Sequence, residues 1–138
     1  MRGVASRRGV CQQALKSIAD FYADDAVLVT PDQGEIVGRD RIAEYHRTWV
    51  GPFPDYRAEP QQKHESGNVA IDEGYTSGTN TAPLTVAPGK ELPATGKHMR
   101  TRTCDVVTVE NGVITRHHFY YDQAEALGQL GLLSELTT

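Results

Sequence analysis

The sequence predicts an α+β fold in which one curved antiparallel sheet wraps around helices packed on a single side. Three observations predict it. Helical periodicity is confined to an early part and the end of the chain, while the stretch between reads as long alternating strands. A hairpin spanning residues 98–122 turns at Asn111-Gly112, a pair that accepts φ > 0 at both central positions of a type I′ turn. The length of 138 residues suits one domain, residues 1–138, with a real core.

The elements follow in order. Residues 1–9 are expected to be poorly ordered. Residues 10–23 set Val10, Ala14, Leu15, Ile18, Ala19 and Tyr22 at helical spacing, with Lys16 and Asp20 off that stripe. Residues 26–30 make a short apolar strand, and Pro31-Asp32-Gln33-Gly34 is a turn. Residues 38–50 form a second amphipathic helix with Asp40 in its first turn; Ile42, Tyr45, His46 and Trp49 recur along it, and Gly51-Pro52-Phe53-Pro54 ends it. His46 reads as half-exposed. Strands are predicted over 57–66 and 69–79 around Gly67-Asn68. Residues 80–97 hold three prolines and read as a long loop or lid. Residues 123–133 form a closing helix, with Asp122 and Glu125 spaced as a capping box.

If the Asn111-Gly112 turn fixes the register, Val109 faces Ile114, Val107 faces Arg116, Asp105 faces His118 and Thr103 faces Tyr120. One face then carries Asp105, His118, Tyr120 and Asp122, and the other carries Cys104, Val106, Phe119 and Tyr121. A carboxylate opposite an imidazole, with a phenol and a second carboxylate nearby, is suited to proton transfer. That face is too polar for plain core and suggests a pocket.

Composition removes several classes. The net charge is −4, and no basic run interleaved with aromatics is present, which argues against nucleic acid as a partner. No apolar run reaches a membrane span, and the N-terminal arginines precede no signal-like apolar segment. Cys11 and Cys104 show no metal or redox spacing, which fits reduced thiols and a cytoplasmic setting. No His/Asp/Glu set has ligand spacing, so no metal is expected.

Several pieces in sequence order carry a resemblance. They are Phe21-Tyr22-Ala23-Asp24-Asp25-Ala26-Val27, Gly38-Arg39-Asp40 opening a helix, Phe53-Pro54-Asp55-Tyr56, and Gly78-Thr79-Asn80-Thr81. Pro93-Ala94-Thr95-Gly96-Lys97, Asn111-Gly112-Val113-Ile114, Tyr121-Asp122 and Gln129-Leu130-Gly131 complete them. From about residue 17 onward the chain resembles the SnoaL-like polyketide cyclase (ester cyclase) family. That family shares the cone-shaped fold of nuclear transport factor 2 and ketosteroid isomerase.

The resemblance implies cofactor-free chemistry on a small apolar or aromatic carbonyl compound, with ring closure by intramolecular aldol condensation. Family cyclases use an acid on the last strand, which points to Asp122 or to the position held by Phe119. Ketosteroid isomerases place an oxyanion-donating acid near Asp105, and their base in an Asp-Pro step where this chain has Thr30-Pro31. Family members often show Gly-Thr-His where this chain has Asn80.

The expected catalytic set is therefore Asp105, His118, Asp122 and Tyr120. The expected pocket wall is Tyr22, Trp49, Phe53, Tyr75, Asn80 and Arg116. Asp122 reads equally as a helix cap, and Asp105–His118 equally as a structural pair. The alternatives are a non-catalytic binding or interaction module, and an epoxide hydrolase that would use Arg116. The stripe Cys104, Val106, Phe119 and Tyr121 is expected to form a homodimer surface.

Overall fold

Four long strands dominate the chain: β3 (Arg57–Ser66), β4 (Val69–Thr79), β7 (His98–Glu110) and β8 (Val113–Tyr121). A computed structural model describes residues 15–137, with side chains placed from 18 to 135. Of the helix expected over 10–23, residues 10–14 lie outside the described residues, as do residues 1–9, which were expected to be poorly ordered. Leu15–Phe21 is a 3₁₀ turn, and the first strand begins directly after it.

β1 (Tyr22–Thr30) and β2 (Gly34–Val37) complete a six-stranded sheet of order β2-β1-β8-β7-β4-β3. The sheet is mixed rather than purely antiparallel, because β1 runs parallel to β8. β4 and β7 pair without interruption from Val69↔Thr108 to Thr79↔His98. β3 forms one edge. Its polar sequence and a bulge after Pro60 suit a strand that must not recruit another chain.

The amphipathic helix α1 (Arg39–Val50) starts at Gly38, whose φ of 99° admits glycine far more readily than any other residue. Its stripe Ile42, Tyr45, His46 and Trp49 packs into the sheet's concave face. There it meets Leu28, Ile36, Met99, Val107 and Phe119. Phe53 joins this core because Gly78 leaves room for it: a Cβ at Gly78 would lie 2.8 Å from that of Phe53.

β7 outruns β8, which ends opposite Thr103, so the start of β7 lacks a strand neighbour on that side. The short helix α2 (Gln123–Gln129) fills the gap with two side chains one turn apart. Gln129 Oε1 accepts from the Arg100 N–H at 2.6 Å and its Nε2 donates to the Arg100 carbonyl at 2.9 Å. Glu125 accepts from the Arg102 N–H at 2.9 Å. The helix stops at Gln129, short of the expected residue 133, and a 3₁₀ turn, Leu133–Thr137, follows.

Residues 80–97 are not a structureless loop. They contain a two-stranded ribbon, β5 (Leu84–Ala87) and β6 (Lys90–Leu92), whose inner residues Leu84 and Val86 are buried. Among the described residues no helix is long and apolar enough to cross a membrane.

Candidate active site

The hairpin register decides which side chains meet. The turn forms as expected, with Asn111 and Gly112 at φ 53° and 81°, and Glu110↔Val113 and Val109↔Ile114 pair. A bulge then inserts Thr115, so that Thr108 pairs with Arg116, Val107 with His117, Val106 with His118 and Asp105 with Phe119. One extra residue turns every later side chain of β8 over. The expected Asp105–His118 pair is therefore corrected: His118 and Tyr120 lie on the outer face, and His117, Phe119 and Tyr121 lie on the inner face with Asp105.

On that inner face four polar side chains join in a chain. His117 Nε2 lies 2.6 Å from Asp105 Oδ1. His117 Nδ1 lies 2.8 Å from the Tyr22 hydroxyl, which lies 3.2 Å from His46 Nε2. None of the four is more than 3 % exposed. They come from β7, β8, the start of β1 and α1. His46 is thus buried rather than half-exposed, and Tyr22 belongs to a polar network rather than an apolar wall.

Burying a carboxylate, two imidazoles and a phenol is costly unless each finds partners. Here they bond one another, and one set of protons satisfies all three contacts: His117 donates its Nε2–H to Asp105, its Nδ1 accepts from the Tyr22 hydroxyl, and the Tyr22 oxygen accepts from the His46 Nε2–H.

Among the described residues, two buried side-chain polar groups have no protein partner: the Trp49 indole N–H and the Thr76 hydroxyl. Leaving such a donor unpaired costs about 1–3 kcal/mol. Thr76 shares a recess with Thr103 and Asp105. Trp49 lines a cleft of about 490 Å³, open mouth included. Its walls are Phe53, Met99, Tyr121, Leu127 and Leu130, roofed by Leu84 and Val86 of the ribbon. At its rim Asp32 accepts a 2.8 Å hydrogen bond from the Tyr45 hydroxyl. The cleft and the polar chain are close neighbours. Phe119 packs on both Trp49 and His117, and the ring of Tyr45 packs on that of His46.

The remaining expected residues fall elsewhere. Asp122 caps α2, accepting from the Glu125 N–H at 3.0 Å. Tyr75 lies under the Arg100 guanidinium, 3.7 Å from its ring centroid. Arg116 donates to His118 at 3.2 Å, and the Tyr120 hydroxyl lies 3.2 Å from His118 Nδ1. Asn80 is fully buried and ties the ribbon's base together. Its amide donates to the Ala82 carbonyl and accepts from the Thr95 N–H and hydroxyl.

Charge is also settled outside the core. The Arg102 guanidinium, its N–H and the Thr101 hydroxyl hold the Glu125 carboxyl down to about 2. Burial, then the Asp105 charge, pushes the Cys104 thiol up, which disfavours the thiolate a nucleophile would need. Among the described residues no three His, Cys, Asp or Glu side chains gather as a metal site would require.

Comparison with known proteins agrees with this architecture. No curated protein matches the sequence. A structure from Jannaschia sp. CCS1, assigned to the SnoaL-like polyketide cyclases, superposes with a TM-score of 0.74 at 9 % identity, over 84 % of this chain and 77 % of that one. A Catenulispora acidiphila protein of ketosteroid isomerase-like fold, in complex with trimethylamine, gives 0.72 at 16 % identity, over 96 % and 91 %. IdmH from Streptomyces antibioticus, assigned as a polyketide cyclase, gives 0.65 at 21 % identity, over 85 % and 86 %. At such identities the likeness is one of fold. The profile of the SnoaL-like domain matches residues 7–117, which include Asp105, His117, Tyr22 and His46, and the chain belongs to that family.

Proposed function

We propose that this protein is a cofactor-free acid–base enzyme acting on a small, largely apolar carbonyl compound, as a cyclase or related isomerase. The observation that carries the reading is the buried chain Asp105–His117–Tyr22–His46. Ordinary packing would favour apolar residues there, whereas proton abstraction beside a carbonyl needs a base and a proton carrier kept from water. Asp105, backed by His117, takes the proton from the carbon next to the carbonyl. The Thr76 hydroxyl is a donor left over for the oxygen that gains charge. The enolate then attacks a second carbonyl of the same molecule, closing a ring, or is reprotonated at another carbon. The ligand's apolar body fills the cleft, and the β5–β6 ribbon serves as its lid.

His118, Tyr120 and Asp122 take no part in this scheme. The test is turnover of linear diketones able to close a ring, by wild type and two variants. Asp105→Asn should lose about a hundredfold or more in kcat, while Asp122→Asn should keep wild-type turnover. Equal activity in both variants would sink the assignment.

A homodimer through the outer sheet face is a companion proposal. Its support is no longer the stripe with Phe119 and Tyr121, which point inward. It rests on Tyr120, 53 % exposed, beside Cys104 and Tyr75 along an open groove. Sedimentation at micromolar concentration should show a species of twice the 15.2 kDa chain mass.

A further inference from the structure

The cleft between α1, α2 and the ribbon is shut. Its closed part measures only about 40 Å³, room for a few waters and too little for a compound that could close a ring. A ligand can enter only if one wall moves, and the walls are not held equally. α2 is fixed to the start of β7 through Gln129, which bonds the Arg100 N–H and carbonyl, and through Glu125, which accepts from the Thr101 hydroxyl and the Arg102 N–H. Its Ala126 and Leu127 are buried in the core. The ribbon is fixed at its foot, where the Asn80 N–H donates to the Lys97 carbonyl and the Gly96 N–H to the Asn80 carbonyl. Beyond the foot, side chains tie it to the C-terminal part of the chain. Gln123, at the start of α2, donates from Nε2 to the Val86 carbonyl at 3.0 Å. Lys90 Nζ donates to the Glu135 carbonyl at 2.6 Å, with the Glu135 carboxylate 4.0 Å away.

We infer that the cleft opens by the ribbon lifting alone about its Asn80 foot, and that Gln123 and Lys90 are the latches that hold it down on α2 and on the turn Leu133–Thr137. This deepens the proposed function by naming how its ligand site is gated, and it rests on that reading only in taking the cleft as that site. The latches belong to the C-terminal segment's grip on the ribbon, whereas the foot and α2 keep their own bonds when the ribbon lifts. A two-stranded ribbon is marginal in water by itself, so its ladder comes apart once it leaves α2. Lifting is therefore visible in amide exchange, at a rate that the latches set.

The test is hydrogen exchange of the full chain, followed residue by residue by NMR. Lys90→Met keeps the apolar stem and drops the donor, and Gln123→Leu does the same at the start of α2. Exchange across residues 84–92 should rise about tenfold in Lys90→Met and about fivefold in Gln123→Leu. The Asn80 and Gly96 amides at the foot, and those of residues 127–130 in α2, should keep wild-type rates in both. Unchanged ribbon rates in either variant overturn the inference. So does an equal acceleration of the α2 amides, which would mean that ribbon and helix leave together. Exchange needs neither ligand nor turnover. Failure of the acid–base reading therefore shows in the turnover of Asp105→Asn, and failure of the latch shows only here.

Discussion

The bulge at Thr115 has a consequence that stability measurements can read directly. His117→Ala removes an imidazole that bonds Asp105 at 2.6 Å and Tyr22 at 2.8 Å, in a site 2 % exposed. The loss leaves a buried carboxylate without its partner, which costs about 3–5 kcal/mol. Unfolding entropy for a chain of 138 residues is about 0.29 kcal/mol per kelvin. The melting temperature should therefore fall by about 10–17 °C. His118→Ala, one position along on the outer face, loses contacts with Arg116 and Tyr120 at the surface and should cost about 0.5 kcal/mol or less. Urea unfolding followed by Trp49 fluorescence, with thermal melts alongside, measures both variants. Equal losses, or a larger loss for His118→Ala, would refute the register and with it the polar chain.

Three further outcomes follow from the same contacts. Glu125 titrates near 2 when folded, against 4.5 for its ordinary value, chiefly because of Arg102. The folded chain then binds fewer protons than the unfolded one between those values, so this stabilisation is present above about pH 4.5 and fades as pH falls toward 2. Urea midpoints at stepped pH should show a shallower acid loss in Glu125→Gln than in wild type, and matching slopes would contradict the assignment. Asn80→Ala breaks three side-chain bonds at the ribbon's base, at about 2–3 kcal/mol. It should speed amide exchange across residues 84–92, and unchanged protection there would show that the ribbon is held elsewhere. Gly78→Ala sets a methyl group against Phe53, and an overpacked contact of this kind costs about 1–3 kcal/mol. An unaltered unfolding midpoint would mean that Phe53 moves aside freely.

Much of the architecture was legible in the residues. The Asn111-Gly112 turn, the β3–β4 pair, α1 and the Asp122 cap all stand where local chemistry set them. The bulge was not, since Thr115 carries no turn or glycine signature. A signal did exist: Ile114 and Phe119 are both apolar and lie an odd number of residues apart, so an unbroken strand cannot bury them on one face. His46 was readable too, because Ile42, Tyr45, His46 and Trp49 share one helical stripe and leave the imidazole no route to solvent. Pro88-Gly89 between Leu84, Val86 and Leu92 marked the ribbon inside the supposed loop. The Tyr45–Asp32 bond was not accessible in this way, because its partners lie thirteen residues apart on different elements, and only the packing of α1 over the first turn brings them together.

Proton abstraction beside a carbonyl is the core of the functional account, and exchange with solvent reads it without knowledge of the natural product formed. The protons on the carbons next to the carbonyls of a linear diketone, incubated with the protein in deuterium oxide and followed by proton NMR, are the most direct probe. The account predicts protein-dependent exchange in wild type and a loss of about a hundredfold or more in Asp105→Asn, with binding of the probe retained. Exchange at the same rate in both proteins, or none above the buffer rate while the probe is bound, would contradict it.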